Sequence, residues 1–150
     1  MIKKIITILV SMCMVGIMSV QAFATNVDAP TSTVTAERAN GTRSIVSEFD
    51  DITLAAGGSW AGGTFVVAQN ANIIFSVKLD NEVQTSAVKM GYYVHGTTNW
   101  HYCSVSHSME SGKHKYTVLI TIPAEGSYDV FIENFTGVQN TFRKPRVEIL

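Results

Sequence analysis

The chain predicts an all-β fold, a two-sheet antiparallel β-sandwich or jelly roll of about eight or nine short strands. Three observations carry that expectation. Apolar residues recur at every second position over long stretches, glycine- and Asx-rich turns punctuate those stretches, and no segment beyond the N-terminal leader shows a helical period. A strand with one apolar face needs a second layer to cover it, so a series of such strands closes into two packed sheets.

The first element is not part of that fold. Lys3 and Lys4 precede an apolar run over residues 5–20, and Ala22-Phe23-Ala24 supplies a small-x-small cleavage pattern. The run falls short of the about 20 strongly apolar residues a permanent span requires. Residues 1–24 therefore read as a secretion signal cleaved after Ala24, with Thr25 as the first mature residue and no membrane span left after cleavage. The Lys-Lys start and the Ile/Met-rich body have a bacterial look, which places the mature protein outside a bacterial cell. Residues 25–42 are rich in Thr, Ala and Asn with almost no large apolar side chain, and read as a flexible segment ahead of a single domain over 43–150.

Within the domain the clearest strand covers 72–80, with Ile73, Phe75, Val77 and Leu79 on one face and Ser76 and Lys78 on the other. Val88, Met90, Tyr92 and Val94 form a second set, opposed by Lys89 and Tyr93. Tyr116, Val118, Ile120 and Ile122 form a third, and Tyr128, Val130 and Ile132 a fourth, set against Asp129 and Glu133. Weaker strands are expected over 44–54, 64–69, 100–106, 138–142 and 146–149. Turns are expected at Gly57-Gly58, Gly62-Gly63, Asp80-Asn81, Gly96, Ser111-Gly112 and Gly126. Pro145 interrupts the last strand and suits a sheet edge. The stretch Gly126 to Asn134, preceded by Thr121-Ile-Pro-Ala-Glu125, resembles the closing hairpin of secreted bacterial β-sandwich modules. That resemblance implies the sandwich and carries no function.

Composition excludes several classes. The formal charge of the full chain is −1, and losing Lys3 and Lys4 with the signal makes it two units more negative. Scattered basic residues on an acidic chain argue against nucleic acid and anionic membranes as partners. Cys13 leaves with the signal, so Cys103 stands alone and no intrachain disulfide can form. The sequons at Asn40 and Asn134 carry no expected modification in a bacterial protein.

Three constellations could carry chemistry. If Cys103 and Val105 face the core, Trp100 and Tyr102 face outward and share that surface with Tyr93 and His95 of the neighbouring strand. Such a cluster is a stacking platform for sugar rings or an apolar partner. Trp60, set in Ala55-Ala-Gly-Gly-Ser-Trp-Ala-Gly-Gly63, is a further ligand-binding candidate on a glycine-rich loop, with the plugging of one end of the sandwich as its alternative role. His95, His101, Cys103 and His107 have ligand chemistry suited to zinc or copper. Positions 101 and 107 lie about 20 Å apart on one strand, however, so a site would need the neighbouring strand. The acidic groups Glu48, Asp50, Asp51, Asp80 and Glu82 lack the spacing of a calcium loop and fit surface turns. No nucleophile elbow or zinc-protease motif occurs, so no catalytic residue and no cofactor are expected.

The leading expectation is a secreted, non-catalytic binding protein for an extracellular glycan, cell-surface component or protein, using Trp60, Tyr93, Trp100 and Tyr102. The alternatives are a secreted antibacterial toxin or bacteriocin-like effector, and a secreted metal-binding protein.

Overall fold

The computed structural model describes residues 32–39 and 42–150, with side chains from Ser44 onward. The expected signal peptide lies outside the described residues. The chain is all-β, with two antiparallel sheets and no α-helix among the described residues. In chain order the strands are β1 (Ser32–Ala39), β2 (Thr42–Phe49), β3 (Ile52–Leu54), β4 (Ser59–Val67), β5 (Asn72–Leu79), β6 (Val88–Val94), β7 (Trp100–Tyr102), β8 (Ser106–Glu110), β9 (Lys113–Thr121), β10 (Gly126–Asn134) and β11 (Asn140–Ile149). A seven-stranded sheet runs β1-β2-β11-β5-β9-β8, with β3 also paired to β11, and a four-stranded sheet runs β4-β10-β6-β7.

The alternation places the core as expected. Ile73, Phe75, Val77 and Leu79 of β5 pair across to Ile120, Val118, Tyr116 and His114 of β9, and all but His114 are buried. Val88 and Met90 of β6 and Tyr128, Val130 and Ile132 of β10 bury the corresponding face of the smaller sheet. Both sheets contribute to one hydrophobic cluster. Each fully buried aliphatic or aromatic side chain there is worth about 1.5–3 kcal/mol of transfer free energy. Cys103 is a free cysteine and no disulfide joins the described residues, so that cluster holds the domain.

Several elements differ from the sequence expectation: 44–54 splits into β2 and β3, 138–142 and 146–149 join in β11, Gly126 opens β10, and four further differences have local reasons. Residues 32–39 fall in the stretch expected to be flexible, yet they pair along their whole length with β2. A backbone ladder needs no large apolar residue, and Thr33, Val34 and Thr35 are β-branched and favour extended backbone. Gly62 and Gly63 do not form a turn but lie inside β4. Gly62 leaves room for the Trp60 indole, since a Cβ there would sit 2.2 Å from its Cζ2. Gly63 takes φ 67° in a bulge, where Tyr128 pairs with Phe65 but Val130 pairs with Gly62.

The expected strand over 100–106 splits, because the chain leaves the smaller sheet after β7 and enters the larger one at β8. Finally, Pro145 is not at an edge. β11 is a central strand between β2 and β5, and Pro145 sits where the register shifts between Arg143 and Arg146, beside Lys144 at φ 43°. A bulge removes the need for the N–H that proline lacks, so proline is tolerated there.

Asn134 closes the end of β10. It is fully buried and its Nδ2 donates to the carbonyls of Leu54, Ala55 and Val138 at 2.9, 3.0 and 2.8 Å. The side chain that makes this sequon is thus consumed as a structural clamp between the β3–β4 and β10–β11 connections.

Candidate ligand-binding face

The outer face of the four-stranded sheet is built from the residues that alternate with the core set. Tyr93 and Gly91 on β6 pair with Trp100 and Tyr102 on β7, and Gly91 also pairs with Phe131 on β10. Phe131 is fully buried yet lies outside the inter-sheet hydrophobic cluster. Its ring occupies the space over Gly91, whose added Cβ would meet Phe131 carbons at 2.9 Å and the His101 carbonyl oxygen at 2.0 Å. Trp100 and Tyr102 flank Phe131 edge-on, with ring centroids 4.4 and 5.2 Å away, and Tyr93 packs on Trp100 at 4.9 Å. The absence of a side chain at position 91 thus lets three strands assemble four aromatic rings on a surface that faces away from the core. Tyr102 remains 57% exposed.

One row further along the same face lies a polar cluster. The bulge at Gly63 turns Thr64 toward β10, where its hydroxyl donates to Asp129 Oδ1 at 2.7 Å. Asp129 is buried, and its Oδ2 lies 2.8 Å from His95 Nδ1. An ionised carboxylate can only accept, so the proton is on Nδ1, and Nε2 is the nitrogen left for a ligand. Burial, and after it the neighbouring Asp129 charge, pushes the Tyr93 phenol up to about 12. Asp129 of β10 therefore gathers Thr64 of β4 and His95, just past the end of β6, around one carboxylate, with the Tyr93 phenol of β6 close enough to feel its charge. At the other end of the face Tyr102 lies near Glu133, and burial, with that carboxylate after it, pushes its phenol pKa up. A groove of about 420 Å³ adjoins Tyr102 and is lined by Thr85, Ser86, Lys89, Cys103 and Ser104 among others.

Of the ligand-binding residues expected from sequence, Tyr93, Trp100 and Tyr102 come together here. Trp60 does not. It is on the inner face of β4, buried, edge-on to Phe49 at 5.2 Å, with its indole Nε1 unpartnered. The reason is the strand assignment: with Gly62 and Gly63 inside β4, position 60 takes inward parity. Phe131, Thr64 and Asp129 are the members that sequence reasoning misses. Phe131 had a signal, a large apolar residue at outward parity between Asp129 and Glu133.

The four residues considered for a metal do not converge. His95 is held by Asp129, whereas His101 stacks on Tyr92 at 4.8 Å on the opposite side of the smaller sheet. His107 belongs to the larger sheet, where its Nε2 lies 3.0 Å from His114 Nδ1. Cys103 is half-buried against the core, and burial raises its thiol pKa, which disfavours the thiolate a metal would need. The split between β7 and β8 carries His107 to the other sheet, and opposite faces of the smaller sheet separate His95 from His101. Among the described residues no group of three or more His, Cys, Asp or Glu side chains is placed to hold a metal ion. Asp51 and Asp80 are brought together by Arg143, which donates to both.

No protein-family model, curated protein or solved structure matches the chain. Among the described residues no helix is long and apolar enough to cross a membrane.

Proposed function

We propose that the chain is a secreted, non-catalytic β-sandwich that binds an extracellular glycan, cell-surface component or protein through the outer face of its four-stranded sheet. The observation that carries this reading is the aromatic layer of Trp100, Tyr102 and Tyr93 built on Phe131, outside the core. A layer facing outward contributes no inter-sheet packing, and leaving aromatic area in water costs free energy that a stacked partner recovers. The neighbouring His95 Nε2 supplies a directional hydrogen-bonding group, which is what a polar ring with an apolar face requires. Secretion rests on Lys3, Lys4, the apolar run and the Ala22-Phe23-Ala24 site. The two-sheet packing into a sandwich rests on the single cluster shared by both sheets.

The test is a glycan array together with pull-downs from extracellular material, using the mature protein and its Trp100→Ala and Tyr102→Ala variants. Each variant is expected to keep the circular dichroism of the parent and to lose binding by about tenfold or more. Folded variants that bind as the parent does would sink the reading.

A further inference from the structure

Among the described side chains, every lysine and arginine but one is in an ion pair. Lys78 and Lys115 reach Glu110, Lys113 and Arg143 reach Asp80, Arg143 also reaches Asp51, Lys144 reaches Asp50, and Arg146 reaches Glu148. Lys89 is the exception, and it lines the groove beside Tyr102. Thr85, Ser86 and Ser104 line the same groove, and none of their hydroxyls is engaged in a hydrogen bond. The acidic residue opposite Lys89 in the register is Glu133. It makes no ion pair with Lys89.

From this we infer that the groove receives an anionic substituent of the ligand, so that the glycan bound by this face is an acidic one, carrying a carboxylate or sulfate. The inference rests on the binding face proposed above and names the ligand class for it. Tyr102 belongs to both the aromatic layer and the groove wall, so a sugar ring stacked on it projects a substituent toward Lys89. Lys89 shares the groove lining with Thr85, Ser86 and Ser104, whose unengaged hydroxyls are available to donate to an anion's oxygens beside its ammonium, and charge-assisted bonds of this kind are about twice as strong as neutral ones. The sugar is favoured over other anions because the groove opens beside a stacking surface. Elsewhere on the described surface, cations are already neutralised by their own carboxylates.

The experiment measures binding of the mature protein to oligogalacturonate, its methyl ester, a sulfated oligosaccharide and a neutral chito-oligosaccharide, at low and high salt. Vesicles containing phosphatidylserine serve as a non-sugar anion. The variants are Lys89→Gln, Lys89→Arg and Trp100→Ala, with Lys115→Gln as a charge-matched control on the other sheet. The expected result is preference for the carboxylated or sulfated probe. Lys89→Gln should lower that affinity about tenfold and remove its salt dependence, while Lys89→Arg and Lys115→Gln retain it. The two acidic probes distinguish carboxylate from sulfate. Binding to the ester or the neutral sugar as tightly as to the acid, with Lys89→Gln indifferent but Trp100→Ala impaired, overturns the anionic groove and leaves the aromatic face standing. Binding of no sugar overturns both. Lys89-dependent binding to vesicles without binding to acidic sugars overturns the sugar assignment.

Discussion

The two sheets turn very different outer faces to solvent. That of the seven-stranded sheet is neutralised from within: Glu110 lies between Lys78 and Lys115, and Arg143 ties Asp80 to Asp51 across strands distant in sequence. That of the four-stranded sheet carries rings where the other carries charges, a buried Asp129 held by Thr64 and His95, and an unpaired Lys89 at its margin. Exposed ion pairs contribute little to stability, but they satisfy their own groups and leave no demand for a partner. Aromatic area and unengaged donors leave that demand open. Side chains at outward parity thus form ion pairs on one sheet and pack into an aromatic layer on the other.

The comparison breaks most readily at Phe131. Although it has outward parity, Phe131→Ala should cost about 3–5 kcal/mol in denaturant unfolding, as for a core residue. Leu119→Ala, at outward parity on the larger sheet and 63% exposed, should change stability by about 0.5 kcal/mol or less. Equal costs would show that the two outer faces are alike. Next in size is Gly91→Ala, whose new methyl group meets the His101 carbonyl and the Phe131 ring. A loss of about 1–3 kcal/mol is expected, with Trp100 fluorescence shifting to the red as β7 loosens.

A smaller effect sharpens the role of Asp129. Tyr93 ionises near 12 in the folded protein against an ordinary 10.0. Its neutral phenol therefore stabilises the fold fully below pH 10, and that contribution is lost as pH rises through about 12. Asp129→Asn removes the charge but not the burial, so ultraviolet titration should show one phenol moving down while still above its ordinary value. No movement would detach Asp129 from Tyr93. The smallest effect belongs to the ion-paired face. Lys115 and Lys78 hold the Glu110 carboxyl at about 2 against 4.5, so its contribution is present above pH 4.5 and is lost as pH falls toward 2. Glu110→Gln should flatten that acid limb by about 0.5 kcal/mol or less, and added salt should erase the difference.

Much of this arrangement is legible in sequence, and what is not has a physical cause. Period two at Ile73–Leu79 and Tyr116–Ile122 places the core because one-residue slips reverse every side chain. The same parity argument sends Trp100 and Tyr102 outward once Cys103 and Val105 turn toward the core. Parity alone cannot show that Gly63 is a bulge rather than a turn, and that bulge delivers Thr64 to Asp129 and sends Trp60 inward. Nor can it pair partners as remote as Thr64, His95 and Asp129, or show that the chain changes sheets between Tyr102 and Ser106 and so scatters the histidines. Sequence predicts faces well because they follow from local geometry. Constellations depend on register between distant strands.

The most direct measurement sets the two outer faces against each other in one binding assay. Trp100→Ala/Tyr102→Ala and Lys78→Ala/Glu110→Ala are compared with the parent on the same acidic-glycan surface, each shown to be folded. The account predicts that the first pair abolishes binding and the second leaves the affinity within about twofold of the parent. Loss of binding in the second pair with retention in the first would contradict it.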